Sequence, residues 1–345
     1  MTIAARPEQW APSGIHILDA DDRDWLQPLR RLKSRLGFRI QQRIVSFVIR
    51  QGWAQRHDPI AVREYVKKYR QIYLRGERVS QMAIDADAVR IQAPQTSFDP
   101  SPVRSEWFEP RHSEPKGAVL YVHGGSFMVE RSPRITALIA RFAAAANARV
   151  YTPNYRLAPE HPCPAAVEDI MAAYRWHRKA SPDEPVVAIA ESAGAAILLA
   201  ALQKLRDDGD ELPCGILLLS PWVDLALQSW SVVAASLAGT SPYTMESLAI
   251  TAQLYLQGRN PTDPVASPLY GDFKNFPPIL IHASQEDLVF DDALRLAEKM
   301  REANGHLTVR VWRDETHVWE RMQGAKGRQS IAMAAKFIRE RLDAA

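Results

Sequence analysis

The sequence predicts an α/β fold in which a mostly parallel central sheet carries helices on both faces. Between residues 118 and 312, short apolar runs recur and amphipathic segments of helical length separate them. Parallel strands require such crossovers, and the helices that form the crossovers cover both faces of the sheet. The N-terminal segment, residues 1–85, does not follow this alternation and has a helical pattern instead.

Two amphipathic helices are predicted within residues 1–85. From 25 to 47, apolar residues recur at steps of three or four, and arginines fall largely between them. A second helix begins at Asp58-Pro59, a capping residue followed by a first-turn proline, and ends near Gly76. We therefore expect a helical N-terminal segment and a larger α/β domain over 86–345.

The α/β domain is expected to alternate strands with helices. Strands are predicted at 88–93, 103–110, 118–122, 148–152, 185–190, 215–220, 278–283 and 307–312. Helices are predicted at 133–146, 164–180, 193–206, 290–303 and 327–343. The stretch 225–275 interrupts this alternation, and we interpret it as an insertion over the carboxyl edge of the sheet.

Length and composition indicate a globular protein of enzyme size. The chain has 345 residues, of which 46% are hydrophobic, enough for a large core. Its start lacks a secretory signal pattern, and no apolar run is long enough to cross a bilayer. Cys163 and Cys214 form neither a disulfide framework nor a metal-ligand pattern. We expect a cytoplasmic protein without a metal site or stable membrane insertion.

Charge is distributed unevenly along the chain. Residues 1–80 carry 16 lysines and arginines against 8 acidic residues, whereas the remainder carries 27 against 32. Such asymmetry is compatible with an anionic partner, but a solvated helix face explains it more simply. We expect no nucleic-acid partner. Peripheral contact of the basic helix at 25–50 with a lipid surface remains an open alternative.

Ser192 has the sequence context of a nucleophile elbow. A buried strand run ends just before it, and a helix rich in small residues begins just after it. A serine at such a sharp turn projects its hydroxyl above the sheet edge, and the turn needs small residues two positions away on either side. Ala190 and Gly194 occupy those positions. The alternative is an ordinary helix N-cap, a position that serine favours.

A serine nucleophile needs a base and a group that orients the base. Asp287 follows the predicted strand 278–283, and His317 follows the predicted strand 307–312. Both would therefore lie at the carboxyl edge of the sheet, where Ser192 projects. Glu286, Asp291 and Asp292 are alternative acids close in sequence.

A glycine pair follows the predicted strand 118–122, in the string His123-Gly124-Gly125-Ser126-Phe127. Glycines let the backbone approach a substrate, and backbone N–H groups there can stabilise a developing oxyanion. We predict Gly124, Gly125 and Ala193 as the oxyanion donors. His123 is expected to support the loop by hydrogen bonding rather than to react.

Together these strings resemble the hormone-sensitive-lipase-like group of α/β-hydrolase carboxylesterases, including the chain order Ser, Asp, His. The matching strings are His123-Gly124-Gly125, Tyr155 to Pro162 with Pro164-Ala165-Ala166, Glu191-Ser192-Ala193-Gly194, Ser220 to Leu225, Asp287 with Asp291-Asp292, and Thr316-His317-Val318. Three positions depart from the usual family pattern: Ala190, Ser126 and Glu130.

The resemblance implies an α/β-hydrolase fold with a helical cap, built here from 1–85 and 225–275. It also implies a lipase-like serine esterase that hydrolyses short- to medium-chain carboxylic esters through an acyl-enzyme, with no cofactor. The catalytic triad would be Ser192, His317 and Asp287, because Asp287 matches the family position of the acid. The predicted substrate-pocket residues are Ser126, Phe127, Trp222, Tyr243 and Trp319.

Two other functions remain as alternatives at this point. A lactone or amide hydrolase would use the same residues, and a non-catalytic small-molecule receptor could share the scaffold. The presence of His317 argues against the receptor, since a receptor does not need the base. A small-molecule ester is the expected partner, and a homodimer is left open.

Overall fold

The computed structural model describes residues 14–18, 88–92, 103–111, 113–241, 243–322 and 324–345. Single helical positions are described at Arg43, Phe47, Glu64, Lys67 and Lys68. These positions fall within the two predicted N-terminal helices. The rest of both helices lies outside the described residues, and so do the basic face at 25–50 and the boundary near residue 85.

The described strands form one sheet. They are β1 (Gly14–Leu18), β2 (Ala88–Gln92), β3 (Ser105–Pro110), β4 (Ala118–Val122), β5 (Arg149–Pro153), β6 (Val186–Glu191), β7 (Gly215–Leu219), β8 (Ile279–Ser284) and β9 (Leu307–Trp312). Their spatial order is β1-β9-β8-β7-β6-β4-β5-β3-β2. Within this sheet β3 runs antiparallel to both neighbours, and the other adjacent pairs are parallel. The predicted mostly parallel sheet is confirmed.

Helices cover both faces of the sheet. They are α1 (Pro133–Ala146), α2 (Ala165–Ala180), α3 (Ala193–Asp207), α4 (Trp230–Ala238), α5 (Met245–Leu256), α6 (Phe290–Glu302) and α7 (Ala325–Ala344), with 3-10 turns at Pro268–Tyr270 and Trp319–Arg321. One hydrophobic core contains residues of α1 and α7, and the other contains residues of α2, α3 and α6. Alternate residues of β4 belong to the two cores, which shows that the strand is buried on both faces.

Burial explains why these strands are easy to recognise in the sequence. Every residue of β4, β6, β7 and β8 is buried. A strand covered on both faces has no solvent-facing positions, so its sequence is a nearly continuous apolar run. The predicted bounds of these strands therefore agree with the structure to within a residue.

Strand β1 was not predicted. It has only five residues and pairs in parallel with β9 at the edge of the sheet. A single short segment has no periodic pattern long enough to identify it, so its pairing depends on the tertiary fold.

The stretch 225–275 leaves the sheet after β7 and contains α4, α5 and one 3-10 turn. Thr244 caps α5 by accepting a hydrogen bond from the Ser247 N–H, and the Ser247 side chain bonds back to Thr244. Such reciprocal capping stabilises a helix start. Within the described ranges, no helix is both long enough and apolar enough to cross a bilayer.

Candidate active site

Ser192 lies at a sharp turn between β6 and α3. Its backbone has φ 52° and ψ −128°, an unfavourable region for a residue with a side chain. The turn is held because the Ser192 N–H donates to the Leu219 carbonyl at 3.0 Å. The side chain makes no capping hydrogen bond to α3, so the N-cap alternative does not apply.

The turn requires a very small residue at Gly194. A Cβ at this position would lie 2.4 Å from the Val122 carbonyl oxygen and 2.6 Å from the His123 carbonyl oxygen. Both contacts are too close for any real side chain and involve backbone, which cannot move aside easily. Ala190 is fully buried in β6, and the strand accommodates its methyl group.

The structure brings His317 between Ser192 and Asp287. The imidazole Nε2 lies 2.8 Å from Ser192 Oγ, and Nδ1 lies 2.8 Å from Asp287 Oδ2 and 3.0 Å from Oδ1. Asp287 follows β8 and His317 follows β9, so both come from the carboxyl edge of the sheet. A carboxylate at Nδ1 favours the tautomer whose Nε2 can accept the serine proton.

The alternative acids contact other groups. Asp291 Oδ2 accepts a hydrogen bond from the Ser231 N–H at 2.9 Å. Asp292 Oδ2 accepts from the N–H groups of Val223 and Asp224 at 2.9 and 3.0 Å. Both residues lie in the first turn of α6, as expected, and hold the chain that follows β7. Burial raises the pKa of Asp292 to about 7, although hydrogen bonds partly oppose this shift.

The glycine loop after β4 differs from the prediction in one respect. The Gly124 N–H donates to the Glu191 carboxylate, with 3.2 Å between N and Oε1. It is therefore not a free oxyanion donor, contrary to expectation. Within the described part of the chain, the structure gives the N–H groups of Gly125 and Ala193 no acceptor.

His123 supports this loop. Its Nδ1 lies 2.6 Å from the Gly124 carbonyl oxygen, and its ring stacks on Tyr155 with 4.4 Å between centroids. The Tyr155 hydroxyl donates to the His123 carbonyl at 2.6 Å. Burial lowers the pKa of His123 to about 3, so the ring is neutral near pH 7. These contacts agree with the structural role expected for this histidine.

The predicted pocket residues occupy different surroundings. The Phe127 ring stacks on Tyr255 at 4.0 Å and lies 5.2 Å from the Trp222 ring. The Tyr243 ring meets the His317 imidazole edge-on at 6.2 Å.

Ser126 and Trp319 are the other two predicted pocket residues. Ser126 is buried with a left-handed backbone at φ 54°. Trp319 is buried, and its ring packs against that of Trp312 in β9 with 5.0 Å between centroids.

Sequence reasoning missed two residues that hold the His317 segment. The Ser220 hydroxyl accepts a hydrogen bond from the Val318 N–H at 3.1 Å. Arg321 Nε lies 3.0 Å from Glu191 Oε2. The signal in the sequence is Glu191, a carboxylate at the end of an otherwise apolar strand. A buried carboxylate needs a partner, and hydrophobic periodicity does not identify that partner.

Comparisons with known proteins identify the family of this chain. Residues 119–321 match the family model described as alpha/beta hydrolase fold. An acetyl-hydrolase of Streptomyces hygroscopicus is 36% identical over 68% of this chain and 79% of its own length. A solved variant of the esterase E40 is 32% identical, with a TM-score of 0.73 over 80% of this chain and 92% of its own.

A solved esterase of the bacterial hormone-sensitive lipase family gives a TM-score of 0.70 at 30% identity. The match covers 88% of this chain and 98% of that one. The family match exceeds half of the chain, and these structural neighbours are esterases. The chain therefore belongs to the α/β-hydrolase fold family and, within it, to the hormone-sensitive-lipase-like carboxylesterases.

Proposed function

We propose that this protein is a serine carboxylesterase that hydrolyses short- to medium-chain carboxylic esters through an acyl-enzyme. One observation carries the proposal. Hydrogen-bond contacts run without a break from Asp287 through His317 to Ser192 Oγ, with 2.8 Å at each of the two closest steps. The similarity to an acetyl-hydrolase and to esterase structures supports the same reaction class.

In the proposed mechanism, His317 Nε2 accepts the proton of Ser192 as Oγ attacks the ester carbonyl. Asp287 orients the imidazole and stabilises its charged form. The protonated imidazole then donates to the leaving alcohol, and an acyl-Ser192 ester remains. His317 next activates water, which hydrolyses this ester and releases the acid.

The N–H groups of Gly125 and Ala193 would stabilise the oxyanion. Ala193 opens α3, so its N–H belongs to the unsatisfied first turn and lies at the positive end of the helix dipole. Gly125 has φ 124°, which a residue with a Cβ rarely adopts. Donors held in a buried site in this way stabilise charge that develops only in the transition state.

The cap assignment is part of this proposal. Residues 225–275 supply Tyr243, whose ring lies beside His317, and Tyr255, whose ring stacks on Phe127. The first contact puts this insertion next to the proposed catalytic base, and the second puts it next to a predicted pocket residue. We assign 225–275 and the N-terminal segment 1–85 to a cap over the catalytic domain 86–345, with the exception of β1 (Gly14–Leu18), which pairs with β9 in the central sheet.

The test is Ser192→Ala, assayed on p-nitrophenyl acetate and butyrate, with matched anilide and lactone substrates alongside. We expect kcat on the esters to fall by about three orders of magnitude or more. An organophosphonate should label the wild type once, at Ser192, and should not label the variant. Ser181→Ala, a change of a distant helix-end serine, should leave both results unchanged.

Near-normal turnover by Ser192→Ala, or labelling of another serine, would refute the proposal. Faster turnover of the anilide or the lactone than of the esters would indicate an amide or lactone hydrolase that uses the same catalytic residues.

A further inference from the structure

Glu191 is the last residue of β6 and directly precedes Ser192. Its side chain is fully buried. An ionised carboxylate is costly to bury unless it is paired and hydrogen-bonded. No step of ester hydrolysis uses this group, so its burial beside the nucleophile needs another explanation.

The two oxygens of Glu191 contact two different segments. Oε1 accepts a hydrogen bond from the Gly124 N–H at 3.2 Å, in the loop after β4. Oε2 accepts from Arg321 Nε at 3.0 Å, in the 3-10 turn that follows His317. One carboxylate therefore joins the nucleophile turn, the glycine loop and the histidine segment.

The histidine segment has other anchors to the sheet as well, including the Ser284 hydroxyl of β8, which donates to the Glu315 carbonyl at 2.7 Å. The Val318 N–H donates to Ser220 Oγ at 3.1 Å, at the end of β7. The Arg321 carbonyl accepts from Arg141 Nη2 of α1 at 3.4 Å. The Glu191–Arg321 ion pair connects the same segment to β6, and its arginine is only 13% exposed. Because solvent screens this pair only weakly, the two charges attract each other strongly and restrict the positions of both side chains.

The glycine loop is close enough to the nucleophile for small movements to matter. A Cβ at Gly124 would lie 3.0 Å from Ser192 Cβ and 2.9 Å from the Glu191 carbonyl oxygen. The Gly124 N–H bond to Glu191 holds the His123–Gly124 peptide, which directly precedes the peptide that carries the Gly125 N–H. A shift of this peptide would misalign the Gly125 N–H with the oxyanion.

We infer that Glu191, with Arg321 as its counter-ion, is a positioning residue that holds the oxyanion loop and the His317 segment in register with Ser192. The inference rests on the proposed esterase function. The pair carries no net charge, so it does not oppose the negative charge of the oxyanion. An unpaired Glu191 carboxylate would oppose it, because the anion would remain buried next to the reacting serine.

Four variants test this role: Glu191→Gln, Arg321→Met, the combination of both, and Arg321→Lys. Glu184→Gln is the matched control. Glu184 lies just before β6, at the other end of the strand, and pairs with Arg149, whose Nε is 2.7 Å from Oε1. The Glu184→Gln variant therefore weakens an ion pair that is more exposed than Glu191–Arg321 and lies at the opposite edge of the sheet, where Glu184 also contacts His177 Nε2 at 3.3 Å. The measurements are kcat and KM on p-nitrophenyl acetate and the thermal midpoint.

We expect Glu191→Gln to lower kcat by about 10- to 100-fold while KM changes by less than about threefold, because misplacement impairs the transition state more than binding. Arg321→Met should lower kcat further than Glu191→Gln does. The double variant should have a kcat at least about fivefold higher than that of Arg321→Met, because no unpaired charge remains buried. Arg321→Lys should lie between wild type and Arg321→Met. Glu184→Gln should keep kcat within about twofold.

The inference is overturned if Glu191→Gln is folded and keeps kcat within about twofold of wild type. It is also overturned if kcat falls equally in Glu184→Gln. If Glu191→Gln fails to fold, the same limit on kcat is applied to the double variant, which buries no unpaired charge. Wild-type protein that neither turns over esters nor reacts with the phosphonate would refute the esterase proposal itself, a result distinct from any of these.

Discussion

Asp287 Oδ2 lies 2.8 Å from His317 Nδ1, although the two residues are 30 positions apart and follow different strands. Asp287 is nearly fully buried, whereas Glu286, one residue earlier, is partly exposed. A buried carboxylate at Nδ1 keeps the proton on that nitrogen and leaves Nε2 free to accept the serine proton. Of the four carboxylates considered in this stretch, the structure places that of Asp287 at hydrogen-bond distance from His317.

Asp287→Asn is expected to lower kcat by about two to four orders of magnitude with little change in fold, because an amide at this position favours the wrong tautomer of His317. The measurement is steady-state hydrolysis of p-nitrophenyl acetate, with circular dichroism to verify the fold. Asp291→Asn is the control, since its carboxylate binds the Ser231 N–H. A larger loss of kcat in the control would contradict the assignment of the acid.

Gly194→Ala is expected to destabilise the protein by about 1–3 kcal/mol and to lower kcat, because the added methyl group would press on backbone atoms. The nearest of these, the Val122 carbonyl oxygen, would be 2.4 Å away. Urea denaturation and ester hydrolysis measure the two effects. Gly324→Ala should change stability far less, since none of the described atoms beyond the two adjacent residues lies within 4 Å of a Cβ there. Equal effects of the two substitutions would show that the turn tolerates a side chain.

Ser126→Gly is expected to stabilise the protein by up to about 1 kcal/mol, because glycine adopts the left-handed region without a steric penalty. Ser126 has φ 54° in the glycine loop. Since the proposed oxyanion donors are backbone N–H groups, kcat should stay within about threefold of wild type. Ser181→Gly, at φ −141°, relieves no strain and should be destabilising. If Ser126→Gly is less stable than wild type, the Ser126 hydroxyl makes a contact that stabilises the fold by more than the backbone strain destabilises it.

Acid should destabilise the fold through its buried neutral histidines. Burial lowers the pKa of His123 to about 3 and also lowers the pKa of His282. In the unfolded chain both titrate near pH 6.5, so unfolding takes up protons below that value. The contribution of His123 to stability is present above about pH 6.5 and is lost as pH falls toward 3, by up to about 1.4 kcal/mol per pH unit, and the contribution of His282 is lost in the same direction.

Asp292 acts in the opposite direction. Burial raises its pKa to about 7, so between its unfolded value and pH 7 the folded chain holds a proton that the unfolded chain releases. Its contribution is therefore present at low pH and is lost as pH rises through 7. Urea unfolding from pH 8 to 5 should show a net loss of stability toward acid, and the loss should be steeper in Asp292→Asn. A free energy of unfolding that does not change with pH in either the wild type or Asp292→Asn would contradict the pKa shifts of the two histidines and Asp292.

Much of the sheet could be predicted because its strands are buried on both faces. The five apolar residues of β4, Ala118–Val122, have the bounds predicted from the sequence. β1 escaped prediction because its five residues are defined by pairing with β9 rather than by their own pattern. The helices α4 and α5 were likewise not predicted individually within 225–275.

The candidate site was predictable where it depends on position along the chain. Ser192, Asp287 and His317 each follow a recognisable strand, and carboxyl ends of parallel strands meet at one edge of the sheet. Gly124 could not be assigned correctly, because the acceptor of its N–H is a side chain 67 residues away.

By itself, the sequence determined the bounds of the strands buried on both faces, the elbow at Ser192 and the loops that carry Asp287 and His317, since apolar runs and small-residue spacing are local properties. Only the tertiary structure decided which buried groups satisfy one another. Glu191 and Arg321 are 130 residues apart, and their pairing follows from the requirement that a buried charge find a counter-ion wherever the fold brings one near.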